Sequence, residues 1–507
     1  MNTFMNALKT DSNYTYTENG ALTYKSTLDG LLDLFALGGA YRTRSDADVI
    51  NLFMKAFRED ETHALRCLFY LRDVRGGQGE RRFFRIVTRW LADNHTAAMR
   101  RNLKYVPEFG RWDDLYTFVG SPLESEAFNL MYEQLKLDVQ CKTPSLLAKW
   151  LKSENTSSKE SRKLADLTRR YFHMNHKEYR KTLSILRERI RLLERLMSAQ
   201  RWDEIEFDKI PSRAGLIYKN AFARHDVERM KSEKAVQSYQ DFAKSKDTKV
   251  NAKALYPYEV VSQAYNHTRY SRHLDDTNRL MINKYWDNLE DYFKNASLDA
   301  LCVVDTSASM WGNQASAPIN VAISLGLYCA EKARGPFAGH YVSFSSRPQL
   351  IKTEGVDFCD KVERIYKTNL CENTNIEATF DMLLNTAIKN KCTQADLPKS
   401  LIIISDMEFD YARGYHSYWR GGYDTPSRET LMEGIKRKWE NYGYQMPNLV
   451  FWNVNSRNHD NIPMRQENNI TFVSGMSPVL FEQIMQDKTA LDLVMDKLDS
   501  ERYACIK

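Results

Sequence analysis

The chain has no CxxC pair. Its eight cysteines, Cys67, Cys141, Cys302, Cys329, Cys359, Cys371, Cys392 and Cys505, are scattered over 507 residues. That scatter argues against a disulfide framework and a cysteine-based structural zinc site, and it fits a reducing cytosol. No stretch approaches the roughly eighteen uninterrupted apolar residues that a membrane-spanning helix needs. Residues 1–10 lack a basic segment followed by an apolar one, so a secretory signal is not expected. Disorder is excluded by composition, with 43% hydrophobic and 27% charged residues. A length of 507 residues exceeds what one hydrophobic core organises, and two or three domains are expected.

The net charge of +6 is unevenly placed. Residues 1–298 hold 50 Lys and Arg against 40 Asp and Glu, whereas residues 299–507 hold 22 against 26. A basic front joined to an acidic back points to two domains with different partners.

Residues 1–27 are polar and aperiodic and read as an irregular arm. Apolar residues then recur at helical spacing in short segments near 30–37, 46–58, 61–71, 80–93, 124–138, 144–152, 159–171 and 177–199. Further, more polar helices are expected near 213–222, 226–243, 257–268 and 277–293. The pattern over 28–297 predicts an all-α array of helical hairpins. At residue 298 the period changes. Short apolar runs at 298–304, 340–344, 401–404, 449–454 and 470–473 alternate with helical windows at 318–333, 376–390, 428–441 and 478–497. Such alternation predicts an α/β unit over 298–507, with a parallel, doubly wound sheet covered on both faces.

The first of those strands runs into Asp305-Thr306-Ser307-Ala308-Ser309. Its alternating oxygens lie on a loop at a strand's C-terminal end, where open α/β sheets bind ligands. Thr374 precedes a helix, and Asp406 ends the most apolar strand. Carboxylates and hydroxyls without Cys or His select a hard cation, with Mg²⁺ expected ahead of Mn²⁺ or Ca²⁺. Glu408 and Asp410 follow Asp406, but no nucleophile–base pair accompanies them and no His lies near either part of the motif. A binding role is therefore favoured over an enzymatic one. The set resembles the metal-ion-dependent adhesion site of von Willebrand factor A domains. The resemblance implies direct coordination by Ser307 and Ser309, and direct or water-mediated coordination by Asp305, Thr374 and Asp406. It also implies one position left for a partner's carboxylate. A simpler reading has these residues capping helices and tying loops together.

In the front half, Leu71-Arg72-Asp73-Val74-Arg75-Gly76-Gly77-Gln78-Gly79-Glu80-Arg81-Arg82 places three glycines between helices. Arg72, Arg75, Arg81 and Arg82 could clamp a phosphate there. Equally, the segment could be a glycine-rich turn whose arginines are solvated or pair with Asp73 and Glu80. It is not a Walker A loop, because no Gly-Lys-Ser/Thr follows. With Gly110-Arg111-Trp112-Asp113-Asp114-Leu115, Trp202-Asp203-Glu204-Ile205 and Ser405-Asp406-Met407-Glu408-Phe409-Asp410, the segment resembles a widespread family of unknown function. In organisation the chain is similar to the TROVE family, typified by the Ro autoantigen. That likeness implies HEAT-like helical repeats, arranged as a ring, joined to a C-terminal von Willebrand A domain. It also implies binding of small structured or single-stranded RNA.

Residues 159–201 carry thirteen Lys and Arg against five Asp and Glu. Arg169, Arg170, Lys177, Arg180, Lys181, Arg187 and Arg191 are the candidate RNA contacts in this stretch. Tyr171, Phe172 and Tyr179 are interleaved with them, where bases could stack. A solvated basic helix face is the plainer reading. His173 and His176 lack the acidic or thiol company of a metal site. The aromatic loop 411–423 is a candidate lid over the metal edge. The resulting expectation is a cytoplasmic RNA-binding protein whose A domain braces the ring or recruits a protein partner. The rivals are a protein-only scaffold, such as a viral assembly component, and a metal-dependent nuclease.

Overall fold

The computed structural model describes residues 3–507 apart from 270–273, 294–298, 313, 345–346, 368–373, 411–428 and 485–487. Two compact units do not follow the chain linearly. The first gathers Met1–Cys67, Leu255–Leu274 and Leu289–Ser500, and the second Leu68–Ala254, Asp275–Asn288 and Glu501–Lys507. The architecture is the expected one, an all-α unit and an α/β unit, but the front of the chain is distributed differently.

The α/β unit contains a hairpin of β1 (Tyr14–Tyr16) and β2 (Leu22–Tyr24). Its main sheet holds β3 (Ala300–Asp305), β4 (His340–Phe344), β5 (Gln349–Lys352), β6 (Ser400–Ser405), β7 (Asn448–Asn453) and β8 (Ile470–Ser474). The order is β5-β4-β3-β6-β7-β8. All neighbours are parallel except β4 and β5. Every residue of β3 is buried, as are Leu401–Ser405 of β6, which is why both read as continuous apolar runs. After β3 the chain moves to β4 on one side, then returns to β6 on the other. The crevice at the C-terminal ends of β3 and β6 is thus the sheet's topological switch point. Helix Pro318–Lys332 covers the sheet with residues 319–330 all buried. It packs so closely that a Cβ on Gly326 would lie 2.5 Å from Val304 Cγ2.

Residues 1–27 are not irregular. They form helix Thr3–Ser12 and the β1–β2 hairpin, and Tyr24 exchanges backbone hydrogen bonds of 3.0 and 2.9 Å with Ile462. The alternating Tyr-Thr-Tyr and Leu-Thr-Tyr around Asn19-Gly20, with Gly20 at φ 86°, carried that signal. Residues 28–67 also belong with the sheet. Helix Gly30–Gly38 is buried at all nine positions, which marks a core helix and not an amphipathic repeat helix. Ser474 Oγ at the end of β8 donates to Phe35 O at 3.0 Å and accepts from Gly39 N at 2.9 Å.

In the helical unit, the predicted 177–199 helix is two, His176–Arg189 and Leu193–Ser198, broken where Arg191 adopts φ 49°. Of the expected apolar stripe, Leu183, Leu186, Leu193 and Leu196 are buried, and Ile190, at the break, is half-buried. The predicted 213–222 and 226–243 helices become Ser212–Arg229 and Tyr239–Lys244. Elements without a sequence expectation include helix Thr96–Asn102, the 3₁₀ segment Trp112–Phe118 and, in the α/β unit, β5 and helix Phe358–Lys367.

Candidate functional site

At the switch point stand Asp305, Ser307 and Ser309, at and after the end of β3, and Asp406, after the end of β6. Asp305 ends β3, and its carboxylate accepts from Ser307 N at 2.9 Å and from Ser405 Oγ at 2.5 Å. Ser307 Oγ and Ser309 Oγ lie 3.0 Å apart. Thr374 is held just before helix Ile376–Asn390, whose N-cap Asn375 accepts from Ala378 N at 2.9 Å. Asp406 follows β6, where Met407 takes a left-handed φ of 63° and Met407 N donates to Ser405 Oγ at 3.0 Å. Asp305, Ser307, Thr374, Asp406 and Glu408 are all buried. Glu372 and Asn373 of the threonine loop and the aromatic loop 411–423 lie outside the described residues.

These carboxylates are held in an environment that resists their charge. Burial, reinforced by the nearby Asp406 charge, pushes Asp305 up to about 7. Burial likewise raises Asp406, opposed by the Arg457 guanidinium, and pushes Glu408 up to about 7. Two buried oxygens, Asp406 Oδ2 and Glu408 Oε1, have no hydrogen-bond partner among the described residues. The nearest cationic group to Asp406 is Arg457, whose Nη2 lies 3.6 Å from Oδ2. Among the described residues no group of three or more His, Cys, Asp or Glu is placed to hold a metal. Any cation here would have to be held by hydroxyls as well as carboxylates. A hard divalent cation fits this donor set, because it would satisfy the orphaned Asp406 oxygen and neutralise the clustered charge.

The N-terminal hairpin supplies residues that the sequence did not flag. Thr17 Oγ1 donates to Phe409 O at 2.7 Å, Glu18 N to Glu408 Oε2 at 2.7 Å, and Asn19 Nδ2 to Glu408 O at 2.6 Å. Arg457 Nη2 also pairs with Glu18 at 2.9 Å. Nothing in a single sequence joins residues some 390 positions apart, although the Asn-Gly turn was visible.

The basic candidates separate into structural and exposed sets. Arg72 is 1% exposed, and its Nε and Nη2 donate to Asp114 Oδ2 at 2.9 and 2.7 Å. Its role as a phosphate clamp is therefore corrected to a buried ion pair. Asp73 pairs with Arg502 and accepts from Tyr503 Oη at 2.9 Å, and Arg75 Nη1 donates to Glu108 O at 2.8 Å. Burial opposes the Asp73 charge, but hydrogen bonds from Arg502 and the Arg75 amide hold its carboxyl below the usual range. Gly77 lets the turn pass Tyr70, since a Cβ there would lie 2.0 Å from Tyr70 O. The glycine segment is thus a tied helix–helix turn, with Arg75, Arg81 and Arg82 on its exposed side.

Arg187 is also structural. Its guanidinium donates to Ala148 O, Leu151 O and Ser153 Oγ, each at 2.8 Å. Arg169 donates to Met174 O at 2.9 Å and pairs with Asp166 at 2.6 Å. Arg191 pairs with Glu206 at 3.0 Å. Phe172 and Tyr179 are each 1% exposed, and Tyr171 stacks on Phe128 with centroids 4.4 Å apart. The interleaved aromatics build the core and offer no stacking platform. Arg170, Lys177, Arg180 and Lys181 are exposed on helices Lys159–Tyr171 and His176–Arg189. Arg170 approaches Asp166 at 3.0 Å and Arg180 approaches Glu154 at 3.6 Å. His176 also leans on Glu154, at 2.6 Å. Among the described residues no helix is long and apolar enough to cross a membrane.

Two family models match successive parts of the chain. The model of a domain of unknown function (DUF7788) matches residues 299–503. A second, also a domain of unknown function (DUF2828), matches 17–145 and 134–297. Uncharacterized protein L728 of Acanthamoeba polyphaga mimivirus is 29% identical over 514 residues, covering 94% of this chain and 85% of that one. The crystal structure of Deinococcus radiodurans RO (RSR) protein aligns with 94% of this chain and all of that chain, at 13% identity and a TM-score of 0.46. With more than half of its length matched by the second model, the chain belongs to the family of the domain of unknown function DUF2828.

Proposed function

We propose that this protein acts by binding and not by turnover. In this reading its α/β unit engages a carboxylate-bearing protein partner through a divalent cation, and its helical unit contacts RNA in a reducing cytosol. The observation that carries the reading is the buried Asp406 Oδ2, without a hydrogen-bond partner among the described residues, after β6 at the switch point where the β3 loop holds the Ser307 and Ser309 hydroxyls 3.0 Å apart. Asp305, Ser307, Ser309, Thr374 and Asp406 would hold the cation, with Mg²⁺ preferred and Mn²⁺ or Ca²⁺ as alternatives. When bound, the cation supplies a Lewis-acidic position for an incoming carboxylate oxygen. Ser405 orients Asp305, and the strained turn at Met407 sets the direction of Asp406. Isothermal calorimetry of the full chain with MgCl₂ or MnCl₂ tests this directly. Absence of binding heat in the wild-type protein removes the cation reading.

RNA contact is supported by the exposed Arg170, Lys177, Arg180 and Lys181 and is in keeping with the resemblance of the chain's organisation to the TROVE family. Replacing Lys177, Arg180 and Lys181 together by Ala is expected to weaken single-stranded RNA binding. The slope of log affinity against log salt should become shallower by about 2, because three phosphate contacts are lost. Filter binding between about 50 and 200 mM salt measures it. Wild-type binding that is absent, or insensitive to salt, would favour the protein-only scaffold. RNA cleavage that disappears in Asp305→Ala would favour the nuclease instead.

A further inference from the structure

The loop 17–20 between β1 and β2 is anchored at both ends of its contact with the cation edge. Thr17 Oγ1 donates to Phe409 O at 2.7 Å, and Gly20 forms an antiparallel bridge with Asp410. Between them, Glu18 N donates to Glu408 Oε2 at 2.7 Å. Asn19 Nδ2 donates to Glu408 O at 2.6 Å and reaches Thr374 Oγ1, itself one of the motif oxygens, at 3.5 Å. The Glu18 carboxylate is held by two groups of one loop, Arg457 Nη2 at 2.9 Å and Asn458 Nδ2 at 2.5 Å. The same Arg457 nitrogen lies 3.6 Å from Asp406 Oδ2. One guanidinium group thus faces both the half-buried Glu18 carboxylate and a buried Asp406 oxygen that has no hydrogen-bond partner among the described residues.

We propose that loop 17–20 is a built-in arm of the cation site, with Glu18 as the chain's own carboxylate for the position otherwise offered to a partner. This rests on the cation reading above. Its basis is the chemistry of the juxtaposition. A divalent charge at Asp406 would compete with Arg457 for that carboxylate and attract the Glu18 carboxylate away from Arg457 and Asn458. Glu18 stands one guanidinium away, on a loop already tied to Thr374 and Glu408. A partner's carboxylate would then have to displace Glu18, making the hairpin an internal competitor.

Two measurements on the full chain test it, with Mn²⁺ as the probe. Calorimetry should give Glu18→Gln a Mn²⁺ affinity lower than wild type by about tenfold or more, as expected for loss of a charged ligand. Hydrogen exchange should show amides of residues 13–26 protected by Mn²⁺ in the wild type and not in Glu18→Gln. Glu18→Gln keeps the size of a side chain that is 25% exposed, and unchanged exchange elsewhere confirms that the variant folds. If Mn²⁺ binds both proteins equally and leaves residues 13–26 unprotected, the arm is refuted while the cation site stands. If Mn²⁺ does not bind the wild type at all, the cation reading fails and the arm falls with it.

Discussion

Asp114→Ala is expected to destabilise the helical unit by about 3–5 kcal/mol, the cost of stranding a buried charge. Asp114 Oδ2 receives Nε and Nη2 of Arg72 at 2.9 and 2.7 Å and the amide of Arg111 at 3.0 Å. Its Oδ1 receives Arg85 Nε at 2.7 Å, and Arg85 Nη2 continues to Asp113 at 2.9 Å. Arg72 and Asp114 are each 1% exposed, so water cannot replace the lost partner. Gly110 belongs to the same construction, because a Cβ there would lie 2.4 Å from Asp114 Oδ2. Urea unfolding followed by tryptophan fluorescence should therefore show an early transition in Asp114→Ala. Arg75→Ala, which removes an exposed side chain bonded to one carbonyl, should stay within about 1 kcal/mol of wild type. A loss under about 1 kcal/mol in Asp114→Ala would show that the Arg72–Asp114–Arg85 network is not what holds this turn. The glycine segment, read as either a phosphate clamp or a turn, and the Gly-Arg-Trp-Asp-Asp segment are on this account halves of one structural lock.

That outcome shows what a single sequence makes legible. Asp305, Ser307, Ser309, Thr374 and Asp406 were readable because each follows a strand or precedes a helix whose apolar period is strong. Local pattern then dictates where the oxygen goes. The β6 run Leu401–Ser405 left little ambiguity about where Asp406 would stand. Arg72 and Arg187 were misread for the opposite reason. A guanidinium's partner is chosen by tertiary packing, and neither Asp114 for Arg72 nor the carbonyls of Ala148 and Leu151 for Arg187 is marked by spacing. Tyr171, Phe172 and Tyr179 looked like stacking platforms because their burial depends on helices elsewhere in the unit. The placement of residues 28–67 was obscured differently. Helix Gly30–Gly38 is short, and its apolar residues could equally have been one face of a repeat. Only its burial on every side identifies it as core.

Asp406→Asn should abolish the stabilisation that Mn²⁺ gives the wild-type protein while leaving the metal-free protein at least as stable. A ligand that binds only the folded state contributes about 2.7 kcal/mol when present at a hundred times its dissociation constant. Differential scanning fluorimetry with saturating MnCl₂ should therefore raise the wild-type midpoint and leave that of Asp406→Asn unmoved. The metal-free expectation follows from burial. Asp406 and Asp305 are 1% and 0% exposed, and burial raises both carboxyls towards the neutral form. An amide of nearly the same shape removes one buried charge and its repulsion of the other. Arg457 keeps Glu18 as a partner at 2.9 Å, so the substitution strands no cation. A site that is more comfortable without its charge is one whose charge serves a ligand, since function commonly keeps such a carboxylate at a cost in stability. If Asp406→Asn instead lowered the metal-free midpoint and kept the Mn²⁺ shift, Asp406 would be a structural partner of Arg457, and the cation would have to bind elsewhere.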